Sequence, residues 1–343
     1  MSRRSVTLLV AAAGVLIALA VAVIAPVPYV ALTPGPTLNT LGSLSGKPLI
    51  QVKGHRTYPT RGHLNMVTVS LFGGPGTDFN IFAALHSWLS PHEAVVPESE
   101  VFTPGQSQQQ VSKEDTEEMA SSQQTATAAA LCELNISFRT IDTVQTTIKG
   151  MPAAGVLRPG DVIEAVDGTP VTCHSDAGTL IKRHKPGTAL QLTILRHGKT
   201  VPVRLVTADA AGEPEIGVYI LESYAFPFSV TISVGDIGGP SAGMMFALGL
   251  IDKITSDNLT GGRFIAGTGE IEANGTVEAI GGIQQKMAGA RAAGATIFLT
   301  PASNCSNTVG AVPAGLRLVK VSSLAGAVAA LKALKAGKPV PSC

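Results

Sequence analysis

The run Phe228-Ser229-Val230-Thr231-Ile232-Ser233-Val234 leads through Gly235-Asp236-Ile237-Gly238-Gly239-Pro240 into Ser241-Ala242-Gly243-Met244-Met245. Its first part is rich in β-branched residues and reads as a strand. Beyond Ser241, the residues Met244, Met245, Leu248 and Ile251 recur at helical spacing. Strand, turn and helix in that order place Ser241 at a helix N-terminus. Free backbone N–H groups and the positive dipole end there suit an oxyanion formed by attack at a carbonyl. The simpler use of a serine at that place is as an N-cap.

A second segment, Gly282-Ile283-Gln284-Gln285-Lys286, opens a helix to Ala293 whose apolar stripe is Ile283, Met287, Ala290 and Gly294. Lys286 falls inside that stripe. Its long stem can carry the amine out to solvent. If it is held inside, desolvation favours the neutral amine, which is what a general base for a serine hydroxyl requires. No histidine in the C-terminal third can complete a local Ser-His-Asp triad, because the last of the seven is His197. Gly239-x-Ser241-x-Gly243 also satisfies the nucleophile-elbow pattern of α/β-hydrolases, and Asp252 or Asp257 offers an acid, but the downstream histidine is missing.

At the other end, Arg3 and Arg4 precede Val6 to Ala25, a run of 20 uncharged residues. At about 1.5 Å per residue this spans a hydrocarbon core of roughly 30 Å. Pro26 and Pro28 end it, and the next charge is Lys47. The positive-inside rule therefore puts Arg3 and Arg4 in the cytoplasm and the body outside. The other reading is a cleaved secretory signal, with Ala18-Leu19-Ala20 and Ala20-Val21-Ala22 as small-residue sites, although signal cores are usually about 7–15 residues long. The expectation is a single-pass protein of the cell membrane with an extracellular body.

A net charge of +1, with 14% charged residues and no basic run, argues against nucleic acid as a partner. Cys132, Cys173, Cys305 and Cys343 fit an oxidising compartment and match no zinc spacing, so no metal and no other cofactor is expected. Chain locality favours pairing Cys132 with Cys173 and Cys305 with Cys343; four free thiols are the alternative.

At roughly 150 residues per domain, 343 residues suggest two or three domains. The expected division is an anchor over 1–31, a β-rich section ending in a helix over 32–134, a compact unit of short strands over 135–210, and a last domain over 211–343. In the second section Leu64 to Leu71 reads as a strand buried on both faces. Ser112 caps a helix running to Leu134, with Glu114, Asp115, Glu117 and Glu118 at its positive end. The fold class is α+β, in several domains.

The phrase Gly150-Met151-Pro152-Ala153-Ala154-Gly155-Val156-Leu157-Arg158-Pro159-Gly160-Asp161-Val162-Ile163, continued by Val166-Asp167-Gly168, resembles the central signature of bacterial PDZ domains. The resemblance implies a groove between the strand near Thr143 to Ile148 and the helix near Ala177 to His184. Thr146, Thr147 and Ile148 would there accept an extended peptide as an added strand.

Residues from about 213 to 335 resemble the proteolytic domain of Lon-type serine peptidases. The matching stretches are Gly239-Pro240-Ser241-Ala242-Gly243, then Gly267-Thr268-Gly269-Glu270-Ile271, then Gly275 through Gly282-Ile283-Gln284-Gln285-Lys286. By that resemblance Ser241 is the nucleophile, Lys286 the base, and Thr268 a hydroxyl that orients the lysine amine, with Gly239 and Ala242 supporting the serine. Between the last two stretches, Asn274-Gly275 is the preferred dipeptide of a type I′ turn.

There are departures from the pattern. Gly238 stands where the ATP-dependent enzymes carry an acid three before the serine, Asp236 lies five before it, and no P-loop motif occurs. The whole chain resembles the membrane-anchored PDZ-Lon peptidases of Gram-positive bacteria. That implies an ATP-independent endopeptidase acting on peptides or flexible protein segments, and a homo-oligomer, since Lon-type domains commonly form rings. The alternative is a catalytically silent PDZ scaffold at the membrane.

Overall fold

The computed structural model describes residues 3–343. Helix α1 (Arg3–Ile24) has no buried residue, and its length and apolar composition suffice to cross a membrane. The first two residues of the anchor expected over 1–31 lie outside the described ones.

Strands β1 (Tyr29–Asn39), β2 (Ile50–Lys53) and β3 (His63–Gly73) follow, then helix α2 (Ile81–Leu89), β4 (Ala94–Pro97) and helix α3 (Gln108–Glu133). Helix α3 starts earlier than expected. Ser107, not Ser112, is its cap: the Ser107 hydroxyl accepts from the Gln110 amide, and the Gln110 side chain accepts from the Ser107 amide. This capping box satisfies two orphan donors at once. No acid lies in the first turn, so Glu114 to Glu118 do not face the positive end. The second half of α3, from Ala126 to Cys132, is buried.

Next come β5 (Arg139–Thr147), β6 (Val162–Val166), α4 (Ala177–Lys182), β7 (Ala189–Arg196), β8 (Lys199–Val206) and β9 (Val218–Ala225). The strands form one antiparallel sheet of order β8-β7-β6-β5-β9. Its own core includes Val144, Leu157, Ile163, Leu180, Leu190, Leu192 and Ile194, and buried Asp161 is paired with Arg196 at 2.7 Å.

One edge of the expected peptide strand is already occupied. β6 pairs with one side of β5 at Asp142 and Thr143, while β9 runs along the other, with Val218 opposite Thr147 and Tyr219 opposite Thr146. The Ile148 amide donates to the Gly217 carbonyl at 2.9 Å. Thr146, Thr147 and Ile148 are thus already engaged by a strand of the same chain, and a backbone edge can be paired only once.

The chain then supplies β10 (Ser229–Ile232), α5 (Gly243–Ile254), β11 (Phe264–Gly267), β12 (Glu270–Ile271), β13 (Val277–Glu278), α6 (Ile283–Ala292), β14 (Ile297–Pro301), β15 (Arg317–Val321) and α7 (Leu324–Lys335). The second large sheet has the order β15-β14-β11-β3-β1-β4. Strands β15, β14, β11 and β3 are parallel, and β1 is antiparallel to both its neighbours. β2 pairs with β10. The strands of the 32–134 section are therefore built into the same sheet and core as those of the 211–343 section. That core gathers Ile50, Leu64, Met66, Leu131, Phe246, Leu248, Leu299 and Val319.

Cys132 is bonded to Cys173 and Cys305 to Cys343, the pairing that chain locality favours. The first bond ties the end of α3 to the segment before α4.

Candidate active site

Ala242, not Ser241, is the N-cap of α5, with φ −100° and ψ 0°. The Ser241 hydroxyl is therefore not used for capping; it lies 2.8 Å from Lys286 Nζ. The same amine is 3.3 Å from Thr268 Oγ1, and the Thr268 hydroxyl donates to the Ser241 carbonyl at 2.9 Å. The Gly269 amide donates to that carbonyl as well, also at 2.9 Å. Ser241, Lys286 and Thr268 thus form one hydrogen-bonded cluster.

Lys286 does not snorkel. It is 3% exposed, among Ile283, Met287 and Ala290 on the face of α6 that lies against β1 and β3. Gly282 permits this approach. It caps α6 at φ +66°, and a Cβ there would lie 2.6 Å from Val69 Cγ1. Among the described residues no ion pair involves Lys286. Burial alone lowers its amine to about 8.

Of the two backbone positions expected to support the serine, one is engaged elsewhere. The Gly239 amide donates to the Asp115 carbonyl at 3.1 Å, whereas the Ala242 amide forms no hydrogen bond among the described residues and is available to an oxyanion.

Helix α3 buttresses this loop from far away in sequence. Ser122 donates to the Pro240 carbonyl at 2.9 Å across a separation of 118 residues. Asp115 packs against Gly238 so closely that a Cβ on the glycine would lie 2.5 Å from Asp115 Cβ. Asp115 of α3 therefore occupies the space that a side chain at position 238 would need. Burial, reinforced by neighbouring Glu114, raises the Asp115 carboxyl above the usual range. Sequence reading missed Ser122 and Asp115 in these roles because no motif or period marks them.

The dyad opens into a cavity of about 1430 Å³ bounded by Leu32, Val69, Leu71, Phe79 and Ile237, with Asp115 and Asp236 among its lining residues. β11 pairs with β3 only from His63 to Met66. Beyond Met66, that edge of β3 faces the cavity with no strand partner among the described residues.

The β12–β13 hairpin, which follows Thr268, differs from the expected turn. Glu270 and Ile271 pair with Glu278 and Val277, and the Gly275 amide donates to the Glu272 carbonyl. Gly275 has φ +88° while Asn274 stays at negative φ. The loop is therefore a three-residue connection with Gly275 as the left-handed residue; a type I′ turn needs both residues left-handed. Ile271 of this hairpin packs on Gly243, where a Cβ would come within 2.7 Å of its Cγ2.

A free strand edge does exist in the smaller sheet. β9 has β5 on one side and no strand on the other among the described residues. Its Val218 and Ile220 pack on the core that contains Leu180 and Ile181 of α4. Beside it, a cavity of about 320 Å³ lies among Asp176 and Thr179 at the start of α4, Glu222 of β9, and the Glu272–Asn274 tip of the hairpin.

Residues 126–207 match the family of the PDZ domain, and residues 232–329 match the Lon protease (S16) C-terminal proteolytic domain. A Lon protease of Clostridioides difficile (strain 630) is 38% identical over 79 residues, which cover 23% of this chain and 10% of that protein. The chain thus spans about a tenth of the length of that curated relative. Among solved structures, the PDZ domain of the SdrC-like protein of Listeria innocua is 27% identical, over 23% of this chain and 92% of that one, with a TM-score of 0.22. A solution structure from Geobacillus thermodenitrificans is 29% identical, over 21% and 83%, with a TM-score of 0.19. The chain combines a PDZ domain with a Lon-type proteolytic domain in an α+β multidomain arrangement behind an apolar N-terminal helix.

Proposed function

We propose that this protein is an ATP-independent serine endopeptidase, anchored by α1 with its body outside the cytoplasm, and that Ser241 and Lys286 form its catalytic dyad. The observation that carries this reading is the 2.8 Å approach of Ser241 Oγ to a buried amine lowered to about 8.

An extended substrate adds to the unpaired part of β3, which brings its backbone along the cavity past Ser241. Neutral Lys286 takes the Ser241 proton as Oγ bonds to the scissile carbonyl carbon. The resulting oxyanion receives the Ala242 N–H. The C–N bond then breaks, and the lysine ammonium returns its proton to the leaving amine. Water, deprotonated by the neutral lysine, attacks the ester, releases the acid and restores the serine. Thr268, hydrogen-bonded to the Ser241 carbonyl, keeps the amine aimed at Oγ.

The PDZ domain recruits or restrains substrate at the free edge of β9, beside α4. Two disulfides support an oxidising compartment for the body. The lack of a P-loop motif supports short or flexible segments as targets. The full chain in detergent, incubated with unstructured peptides, tests the reading by mass spectrometry. Wild type cleaves, and Ser241→Ala and Lys286→Ala do not; equal inactivity of all three, with peptide binding retained, would leave the silent scaffold instead.

A further inference from the structure

Helix α2 is amphipathic in the inverted sense. Ile81, Phe82, Leu85, Trp88 and Leu89 are exposed, Trp88 by 70% and Leu89 by 78%, while Ser87 is its buried residue. At 3.6 residues per turn the five exposed apolar residues share one face. A helix facing water shows the reverse arrangement. Tyr29 and Phe72, on strands β1 and β3, are exposed as well.

The place of α2 in the fold indicates what covers this face. Asn80, its N-cap, donates to the carbonyl of Val23 in the last turn of α1 at 3.0 Å. The Val27 amide donates to the Phe79 carbonyl at 2.8 Å, and Pro26 and Asn80 form a bridge. The start of α2 is therefore tied to the end of α1. A helix of 22 residues at about 1.5 Å each is long enough to reach the far edge of a core of roughly 30 Å. That edge is where tryptophan and other amphipathic rings settle, and the exposed apolar face carries no charge. Off that face, Ala83 and Ser87, with His86 on its flank, line the Ser241–Lys286 cavity.

We propose that α2 lies in the headgroup layer of the bilayer crossed by α1, so that the mouth of the active-site cavity is held at a lipid surface and faces segments emerging from the same membrane. This rests on the anchor reading given under the proposed function. Its occupant is lipid rather than a second copy of the chain, because the apolar face is continuous with the exit of α1.

Trp88 is the chain's single tryptophan and reports directly. The full chain is reconstituted into phosphatidylcholine vesicles with or without bromine near the top of the acyl chains. Co-flotation is scored first, because failure to float removes the anchor reading itself and this proposal with it. In floating protein, we expect bromolipid to remove half or more of the Trp88 emission while aqueous iodide removes little. The Phe82→Ser, Leu85→Ser, Leu89→Ser triple variant should still float through α1 but lose most of the lipid quenching. Quenching by iodide and not by bromolipid overturns the proposal with the anchor intact. Shielding from both quenchers, relieved on dilution with excess lipid, overturns it in favour of contact between copies.

Discussion

The Ser241–Lys286 cluster and the groove beside β9 lie on adjoining domains, and they are specified in different ways. In the first, the reacting groups are side chains carried on the turn just before α5 and on helix α6, and the two residues picked out by their motifs lie within 2.8 Å of each other. In the second, the proposed recognition element is an unpaired backbone edge. The residues picked out for it, Thr146 to Ile148, are not the ones left free, because β9 pairs with them first. A side chain keeps its chemistry wherever the fold puts it, whereas a strand edge is available only if the topology leaves it so.

The largest test of this contrast is at the dyad. Ser241→Ala and Lys286→Ala should each lower kcat/KM on an unstructured peptide by on the order of 10³ or more, without changing peptide affinity at β9. On the proposed mechanism the neutral amine is the active form. Activity should therefore rise about tenfold per pH unit below the lysine value of about 8 and level off above it.

The covalent tie between the two regions is next in size. Reducing Cys132–Cys173, with its sequence separation of 41, releases unfolded-state entropy and should cost about 4 kcal/mol in a chemical-denaturation series. A null result would mean that the domains hold together without it.

Lys286→Met should move stability and activity in opposite directions. A folded-state amine near 8 against an ordinary 10.5 corresponds to a burial cost of about 3 kcal/mol at roughly 1.36 kcal/mol per unit. Because the folded value is the lower one, the cost is fully present below pH 8 and is relieved as pH rises towards 10.5. The methionine variant should gain up to about 3 kcal/mol at pH 7 in urea unfolding, and a loss of stability would show that the amine is not desolvated as the burial implies.

The smallest effect separates the two candidate edges. Ile220→Ala should weaken binding of a captured peptide by about 1–2 kcal/mol, whereas Thr147→Ala should leave it unchanged, as read by calorimetry. The reverse result would return the groove to β5.

Much of the proteolytic domain was legible in the chain. The strand before Ser241, the helix after it, the stripe holding Lys286, and the Gly282 start of that helix are local patterns of period and capping. The capping box at Ser107 was legible in principle, since Ser107-x-x-Gln110 satisfies its rule, but the acids after Ser112 drew the helix start too far along the chain. The turn at Asn274-Gly275 was misread for a similar reason: the dipeptide fits two hairpin geometries, and pairing of the arms selects between them.

By itself the sequence determined which groups can react, that no histidine lies within the serine and lysine motifs, and that an apolar helix leads the chain. Only the tertiary structure decided that Lys286 stays inside at 2.8 Å from Ser241, that α3 supports the serine loop through Ser122 and Asp115, and that β3 and β11 share a sheet across the PDZ domain. Propensity and capping act within a few residues, so they can be read along the chain. Burial and strand pairing depend on segments brought together from far apart, and they exist only once the chain has closed on itself.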